Sequence, residues 1–579
     1  MRPVVRRYGD RALLVDLGSV DSAHRMASAV ESAIIADGLA REITGVVVGF
    51  GNVVVLLDQP EGPGGSLTTW VEQVVLRLRD GPTVTAAGAE RIGKRGPRVV
   101  EIPVVFDGPD LHEVAAAIGT GESGVVELLT GVELEVAFLG FAPGFPYLTG
   151  LPPELAAIRR RDTPRPSVRA GSVAVAGGFA SVYPRATPGG WMVVGATTVP
   201  LFDPGRPPYA LVRAGDKVRF RHLRTPTETG PPPASEGVGS EVGSRPPLQA
   251  RGGRWVEVVD PGLLSLVQDE GRRGVAGVGV PGAGAADPDA LLLANRLVGN
   301  PDGAAVIEFT AVGPTLRFAS DAHVAVVGST GGAVDVELDG RPCPDSTVVP
   351  VAPGQVLAIG RIHTGLRACL AVAGGFETTP VMGSRSSDLL SGLGPGPLMV
   401  GDQLGLGAPV RPHGSLIDLG RGASPGAPRE VCVLAGPHHA DDRTWRRLLE
   451  DRWTVDDASN RIGVRLVGPG GPLHDEATVS DLPVTAPTGF ASTGMITGAI
   501  QLPPDGRPII LLPDHATVGG YPVIGCVIAA DLAAVGQLAP GDQLTFIEVD
   551  LAAAQRAWQE RVRLLNGRVR GWFPTAAGT

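Results

Sequence analysis

Arginines, aromatic rings and glycine turns crowd one stretch, Glu135 to Trp191, which reads EVAFLGFAPGFPYLTGL, then RDTPRPSVRAGSVAVAGGF, then YPRATPGGW. Phe141, Phe145, Tyr147 and Trp191 stand there with Arg165 and Thr187, in a chain whose aromatic content is only 4%. Glycine supplies backbone angles that other residues resist and proline fixes φ, so short strands and tight turns are expected rather than long helices. Rigid turns that carry rings and arginines suit a cleft for a small polar or anionic ligand. A β-barrel corner with packed aromatics would read the same way.

Two later regions repeat the pattern. In VVDPGLLSLVQDEGRRG, Gln268, Asp269 and Arg272 have the chemistry to bind a carboxylate or amide, or to brace their loop. GVPGAGAADPDALLLANRLVGN joins a Gly-Pro loop to a helix that Asp287 can cap, with Asn295 on the helix surface. Asn460 and Arg461 in SNRIGVRL, and Asp505, Asp514, Thr517 and Tyr521 in GAIQLPPDGRPIILLPDHATVGGYP, lie beside glycine turns, as in a ligand cleft or a barrel rim. His438, His439, Asp441 and Asp442, like His474, Asp475 and Glu476, lack metal-ligand spacing, so solvated surface is expected and no metal site.

Several chemistries are excluded. GAERIGK, Gly88 to Lys94, has phosphate-loop spacing, but Arg95 replaces the magnesium-binding Ser or Thr. Gly277, Gly279 and Gly282 form GxGxxG around Pro281 without a βαβ unit, and a turn is expected there. There is no GxSxG elbow. The only lysines are Lys94 and Lys217, so a Ser-Ser-Lys amidase centre and a covalent biotin site are both ruled out. A formal charge of -10 disfavours nucleic acid and anionic membranes. No apolar run has bilayer or signal-peptide length, and four scattered cysteines without a CxxC pair fit a reducing cytoplasm.

The elements that must position these residues fall into several domains, since 579 residues exceed one core. Residues 1–85 read as a small α/β domain, with strands at Ala12 to Gly18 and Ile43 to Leu57 and helices at Ser22 to Leu39 and Thr68 to Leu78. Residues 86–224 read as a β-barrel, with one helical interval near Leu111 to Leu129. Residues 225–254, poor in apolar side chains and rich in Pro, Gly and Ser, read as a disordered linker. Two further barrels are expected at 255–410 and 411–551, the seam between them falling at Ala408 to Arg429, with a tail over 552–579. AVAGGF occurs at Ala174 and at Ala371, with GGYP at Gly519 a weaker echo; AGDKVRF, VGDQLGL and PGDQLTF follow. Three related barrels account for this repetition.

Over nearly its full length the chain resembles the B and C subunits of bacterial 5-oxoprolinase joined end to end, proteins also labelled allophanate hydrolase subunits 1 and 2. GFAPGFPYL, TPR at Thr163, AGSVAVAGG and PGGW carry the first part; PGLLSLVQDEGR, GVPGAGAAD, ANRLVGN, SNRIGVRL, IQLPPDG and GGYP carry the second. The resemblance implies a mainly β fold, with a small N-terminal α/β domain followed by three cyclophilin-like β-barrel domains. It implies ATP-dependent opening of 5-oxoproline to glutamate with a separate A-type 5-oxoprolinase subunit, ATP being bound with Mg2+. Arg165 and Arg461 would then bind anions, and Asp514 would be a base or a magnesium ligand. Nucleotide or substrate would meet the other residues named above. Phe179, Ala180, Ala283, Ala286, Thr493 and His515 depart from the family's usual residues. Two alternatives stand beside this reading: a carboxyltransferase of the urea carboxylase type fed by a biotinylated partner, and a regulator, since first-half relatives include a sensor-kinase inhibitor. Homo-oligomerisation is left open.

Overall fold

A computed structural model describes residues 3–80, 98–223, 246–250, 252–329, 334–412, 428–438, 440–473 and 491–569. The first unit is a four-stranded antiparallel sheet of β1 (Val4–Arg7), β2 (Ala12–Asp16), β3 (Ile43–Val48) and β4 (Asn52–Leu57), in the order β1-β2-β4-β3. Helices α1 (Val20–Ala36) and α2 (Ser66–Asp80) cover one face. Ser19 starts α1 by accepting from the Ser22 N–H at 3.3 Å. Successive strand residues point to opposite faces. Leu13 and Val15 therefore pack under the helices, while Ala12 and Leu14 turn to a second core beyond the unit.

The next unit runs β5 (Val99–Val104), α3 (Leu111–Ala117), α4 (Glu122–Thr130), β6 (Leu134–Leu139), β7 (Pro146–Thr149), α5 (Pro153–Ala156), β8 (Arg165–Val168), β9 (Ser172–Ala176), β10 (Phe179–Val182), β11 (Thr187–Gly189), β12 (Met192–Ala196) and β13 (Lys217–His222). Its main sheet has the order β12-β9-β10-β7-β6-β13-β5, and a bridge from Val105 to Ala196 joins the two ends. β8 and β11 form a separate two-stranded ribbon.

In the middle unit β14 (Trp255–Asp260), β15 (Leu264–Gln268), α6 (Pro288–Leu297), β16 (Val306–Thr310), β17 (Thr315–Phe318) and β18 (Ala322–Val327) come first. There follow β19 (Val334–Leu338), β20 (Arg341–Pro342), β21 (Val349–Val351), β22 (Val356–Ile362), β23 (Arg367–Val372), β24 (Phe376–Glu377) and β25 (Gln403–Leu406). The strand order of this unit differs from that of the unit before it. The strands form two sheets, β20-β19-β22-β17-β14-β25-β24 and β15-β16-β23-β18-β21, packed over a common core. The chain switches sheets at Pro261-Gly262, where Gly262 has φ +70° and a Cβ would lie 2.4 Å from Val312 O.

The last unit is a closed seven-stranded barrel of β26 (Arg429–Ala435), β27 (Trp453–Val455), β28 (Gly463–Val467), β30 (Ala499–Gln501), β31 (Ile509–Leu511), β33 (Val523–Val527) and β34 (Gln543–Glu548), with α7 (Asp442–Glu450) after β26. β29 (Thr493–Gly494) and β32 (Val518–Gly519) pair as a ribbon outside it. Its order, β26-β33-β30-β31-β28-β27-β34, is that of the first barrel strand for strand, and in both the first and last strands run parallel. α8 (Leu532–Gly536) precedes β34.

The Gly-Asp repeat has one geometry throughout. Gly215, Gly401 and Gly541 have φ +87°, +85° and +86°. The carboxylates of Asp216, Asp402 and Asp542 then accept from the N–H three residues back, at 3.0, 2.8 and 2.9 Å. GGYP, however, lies at β32–β33 and corresponds to PGGW at β11–β12, so it is no echo of AVAGGF.

The segment from 552 is not a bare tail: α9 (Leu551–Gly567) is held by Arg561 on Asp289 at 2.5 Å and by Arg296 Nη1 on Leu565 O at 3.2 Å. Of the expected linker, residues 246–250 and 252–254 are described, and Leu248 N donates to Asp402 Oδ1 at 2.7 Å. Most of that linker, the loop Gly88 to Lys94, His439, the group His474 to Glu476 and much of the seam after Ala408 fall outside the described residues.

Candidate functional site

The Arg461 side chain ties the last barrel to the middle unit. It leaves a turn in which Asn460 Oδ1 accepts from Ile462 N at 2.8 Å. Nε and Nη2 donate to the two oxygens of Asp514, each at 3.0 Å; Nη1 donates to Glu308 Oε1, and Nη2 also reaches Gly284 O at 2.7 Å. Glu308 Oε2 accepts from Ala286 N at 2.6 Å, and Pro513 O from Ala283 N at 3.2 Å. All three charged groups are buried. Burial pushes the Asp514 carboxyl up to about 6 in spite of Arg461. Desolvation works against the guanidinium, but Asp514 and Glu308 outweigh it and hold Arg461 charged. Asp514, fully buried with both oxygens on Arg461, does not fit a magnesium ion.

Gln268, Asp269 and Arg272 hold the loop Val381 to Ser391. Asp269 accepts from Ser384 Oγ, Ser386 Oγ and Arg385 N, each at 2.6 Å. Arg272 donates to Val381 O at 3.2 Å and Ser386 O at 2.5 Å, and Gln268 to Ser387 O at 2.9 Å. Arg272 Nη1 and Gln268 Oε1 are left without partners among the described residues.

The aromatic stretch forms a core. Phe145 lies 5.2 Å from the Phe141, Tyr147 and Tyr183 ring centres and 5.6 Å from Trp191, in edge-on contacts. Met495, Val518 and Cys526 of the last barrel and Tyr8, Val47 and Val54 of the first unit join the same cluster. In β9, Val173 and Val175 face the barrel interior while Ala174 and Ala176 face this shared core, small side chains allowing close approach. Phe141 itself holds φ +65°.

On the first barrel, Arg165 donates to both oxygens of Asp110 at 2.9 and 2.6 Å, and Arg161 reaches the same carboxylate at 3.0 Å. Asp505 Oδ1 accepts from Arg507 N at 3.2 Å in an exposed turn, Tyr521 is 44% exposed, and Thr517 is buried. Asn295, expected on a helix surface, is buried and donates to Asp302 O and Ala304 O.

Asp441 caps α7. Among the described residues Asp21, His24 and Glu135 alone cluster closely enough for a metal ion, and Lys217 sits 2.8 Å from Glu135 as a competing charge. Sequence reasoning misses Asp110, Arg161 and Glu308. Their signals are Gly-Pro-Asp ahead of a helix, a run of arginines, and one acid inside the apolar strand VIEFT.

Two equivalent barrels, a two-sheet unit between them and a shared buried seam define a carboxyltransferase-type protein. The chain belongs to the carboxyltransferase domain family: residues 3–212 match its subdomains C and D, and residues 278–548 its subdomains A and B. It is 34% identical over 320 residues to the C subunit of 5-oxoprolinase from Escherichia coli (strain K12), covering 53% of this chain and 96% of that one. It is 54% identical over 126 residues to the B subunit of 5-oxoprolinase from Escherichia coli O157:H7, covering 21% of this chain and 57% of that one. The crystal structure of TTHA0988 superposes with a TM-score of 0.76 at 32% identity, covering 94% of this chain and 100% of that one.

Proposed function

We propose that this chain is the fused B and C component of an ATP-dependent 5-oxoprolinase, working in the cytoplasm with a separate A component. One observation carries the reading. A half similar to the B component and a half similar to the C component share one polypeptide and one buried aromatic core.

A lactam resists water because its nitrogen lone pair is delocalised into the carbonyl. Phosphoryl transfer from ATP to the lactam oxygen releases ADP and leaves an activated imidate. One water adds at the ring carbonyl carbon, the C–N bond breaks with the nitrogen taking a proton, and a second water releases phosphate, leaving glutamate. Positively charged donors fixed near the reacting oxygens stabilise the charge that develops. In this reading Arg165 is such a donor. Arg461 and Asp514 act by position, fixing the Ala283 to Ala286 loop rather than moving protons.

The test is ADP release by the purified chain, with a matching A component added or omitted, in the presence and absence of 5-oxoproline. Release that requires both supports the reading, and its absence in every combination overturns it.

A further inference from the structure

The two equivalent barrels carry the same buried, unpartnered group. Thr187-Pro-Gly-Gly-Trp191 and Thr517-Val-Gly-Gly-Tyr521 lie at corresponding ribbons, and in each the threonine Oγ1 is buried without a hydrogen-bond partner among the described residues. Beside each lies a second repeat, Gly108-Pro109-Asp110 and Gly436-Pro437-His438. Gly108 N donates to Val194 O at 3.2 Å and Gly436 N to Ile524 O at 2.9 Å. Asp110 Oδ2 accepts from Val193 N at 2.7 Å, as His438 Nδ1 does from Val523 N at 2.9 Å.

The residue at that corner decides what gathers around it. Asp110 draws in Arg161 and Arg165, and one buried carboxylate against two guanidiniums leaves positive charge in excess. Glu113, 3.6 Å from Arg161, is exposed and offsets little. Arg161 Nε is buried and unpartnered, and each Nη of Arg165 keeps a second N–H beyond the one Asp110 takes. Arg165 faces Gly189, two residues past Thr187, across the β8–β11 ribbon, and Arg161 N donates to Gly190 O at 2.8 Å.

In the last barrel Thr493, opposite Gly519, stands where Arg165 stands opposite Gly189. The first unit covers that place. Phe50 N and Asn52 Nδ2 donate to Ser492 O at 2.7 and 3.1 Å, and Tyr8 OH meets Met495 Sδ at 3.7 Å. On the first barrel the corresponding ribbon is exposed at Pro166, Ser167 and Pro188.

We propose that the first barrel holds an anion subsite in which Arg161, Arg165 and Thr187 bind the oxygens of a carboxylate or phosphate, and that its counterpart in the last barrel has been given over to packing between units. Planar guanidiniums match both groups, and hydrogen bonds to an ionised acceptor are the stronger kind. The subsite rests on the proposed function only for the choice of probes: the carboxylate of 5-oxoproline and the phosphates of ATP.

The test is calorimetric titration of the full chain with 5-oxoproline, with 2-pyrrolidone, which is the same lactam without the carboxylate, and with ATP. We expect Arg161→Gln and Thr187→Val each to weaken one of the two anions roughly tenfold or more. A loss confined to 5-oxoproline, with 2-pyrrolidone unchanged, assigns the carboxylate; a loss confined to ATP assigns the phosphate. Thr187→Val keeps the side-chain shape and carries the test alone if Arg161→Gln does not fold. Unchanged affinities in folded variants, or no binding of either anion to the parent at millimolar concentration, overturn the subsite. Anion binding that needs Arg161, without 5-oxoproline-dependent ADP release, would leave the subsite standing while the proposed function fails.

Discussion

Arg461 grips both oxygens of Asp514, each at 3.0 Å, and through the same guanidinium holds Glu308 of the neighbouring unit. Removing one partner of a buried pair costs roughly 3–5 kcal/mol, because the other charge stays buried and unpaired. We expect Arg461→Ala to lose about that much in urea denaturation. Adding Asp514→Asn and Glu308→Gln should recover part of it by removing the stranded charges. A triple variant no more stable than Arg461→Ala would show that the carboxylates are not what the arginine compensates.

Asp287 caps α6 through Asp289 N and Ala290 N, each at 3.0 Å, and accepts from Gln537 Nε2 at 2.6 Å. Burial, then the charge of Asp289, pushes its carboxyl up to about 6. An unfolded aspartate titrates near about 3.9, so between these values only the folded chain keeps the proton. The stability this group contributes is therefore fully present below about pH 4 and lost as pH rises through about 6. His438, lowered to about 4 by burial and Arg6, acts in the opposite sense, its contribution being lost as pH falls through that value. Comparison of the parent with Asp287→Asn, which keeps the capping oxygen, isolates the aspartate. We expect the parent to lose up to about 3 kcal/mol relative to the variant between pH 4 and 7. Parallel stability curves would refute the shift.

Much of the framework was legible because it is local. Gly-Asp turns need a left-handed glycine and a short acceptor, and all three formed with one geometry. In the first unit α1 buries Ala23, Met26, Ala27 and Val30 at helical spacing, while β2 and β4 are apolar runs buried on both faces. The equivalence of PGGW with GGYP was hidden because it depends on strand order, which no short motif encodes. Glu308 was hidden for a related reason: its partner lies 153 residues away in another unit, and a lone acid in a strand does not name it. The Gln268 to Arg272 group left two readings open, and the structure shows those side chains bonded to the Val381 to Ser391 loop.

The aromatic stretch has a stability consequence of its own. Phe145 is 1% exposed among four rings. Truncation of a buried phenylalanine costs about 3–5 kcal/mol, and we expect Phe145→Ala to fall in that range by chemical denaturation. Tyr521→Ala, at a residue 44% exposed, should stay within about 0.5 kcal/mol of the parent. Similar losses at both sites would contradict the shared core.

Gly140 lies where the first and last barrels meet, and a Cβ there would stand 2.6 Å from Val518 Cβ. Neither backbone strain nor solvent exposure dictates glycine at this point; the approach of the opposite barrel does. Overpacking of this kind costs about 1–3 kcal/mol, so Gly140→Ala should lower the unfolding free energy, measured by chemical denaturation, by that amount. Val518→Gly alone removes apolar contacts and should destabilise as well, yet in the Gly140→Ala background it takes away the Cβ and Cγ2 that would stand 2.6 and 2.8 Å from the new methyl. The two changes should therefore fall well short of additive, with a coupling of about 1 kcal/mol or more in a double-mutant cycle. Strict additivity would mean that the two barrels do not touch at these residues, and with that the shared seam between the halves would be lost.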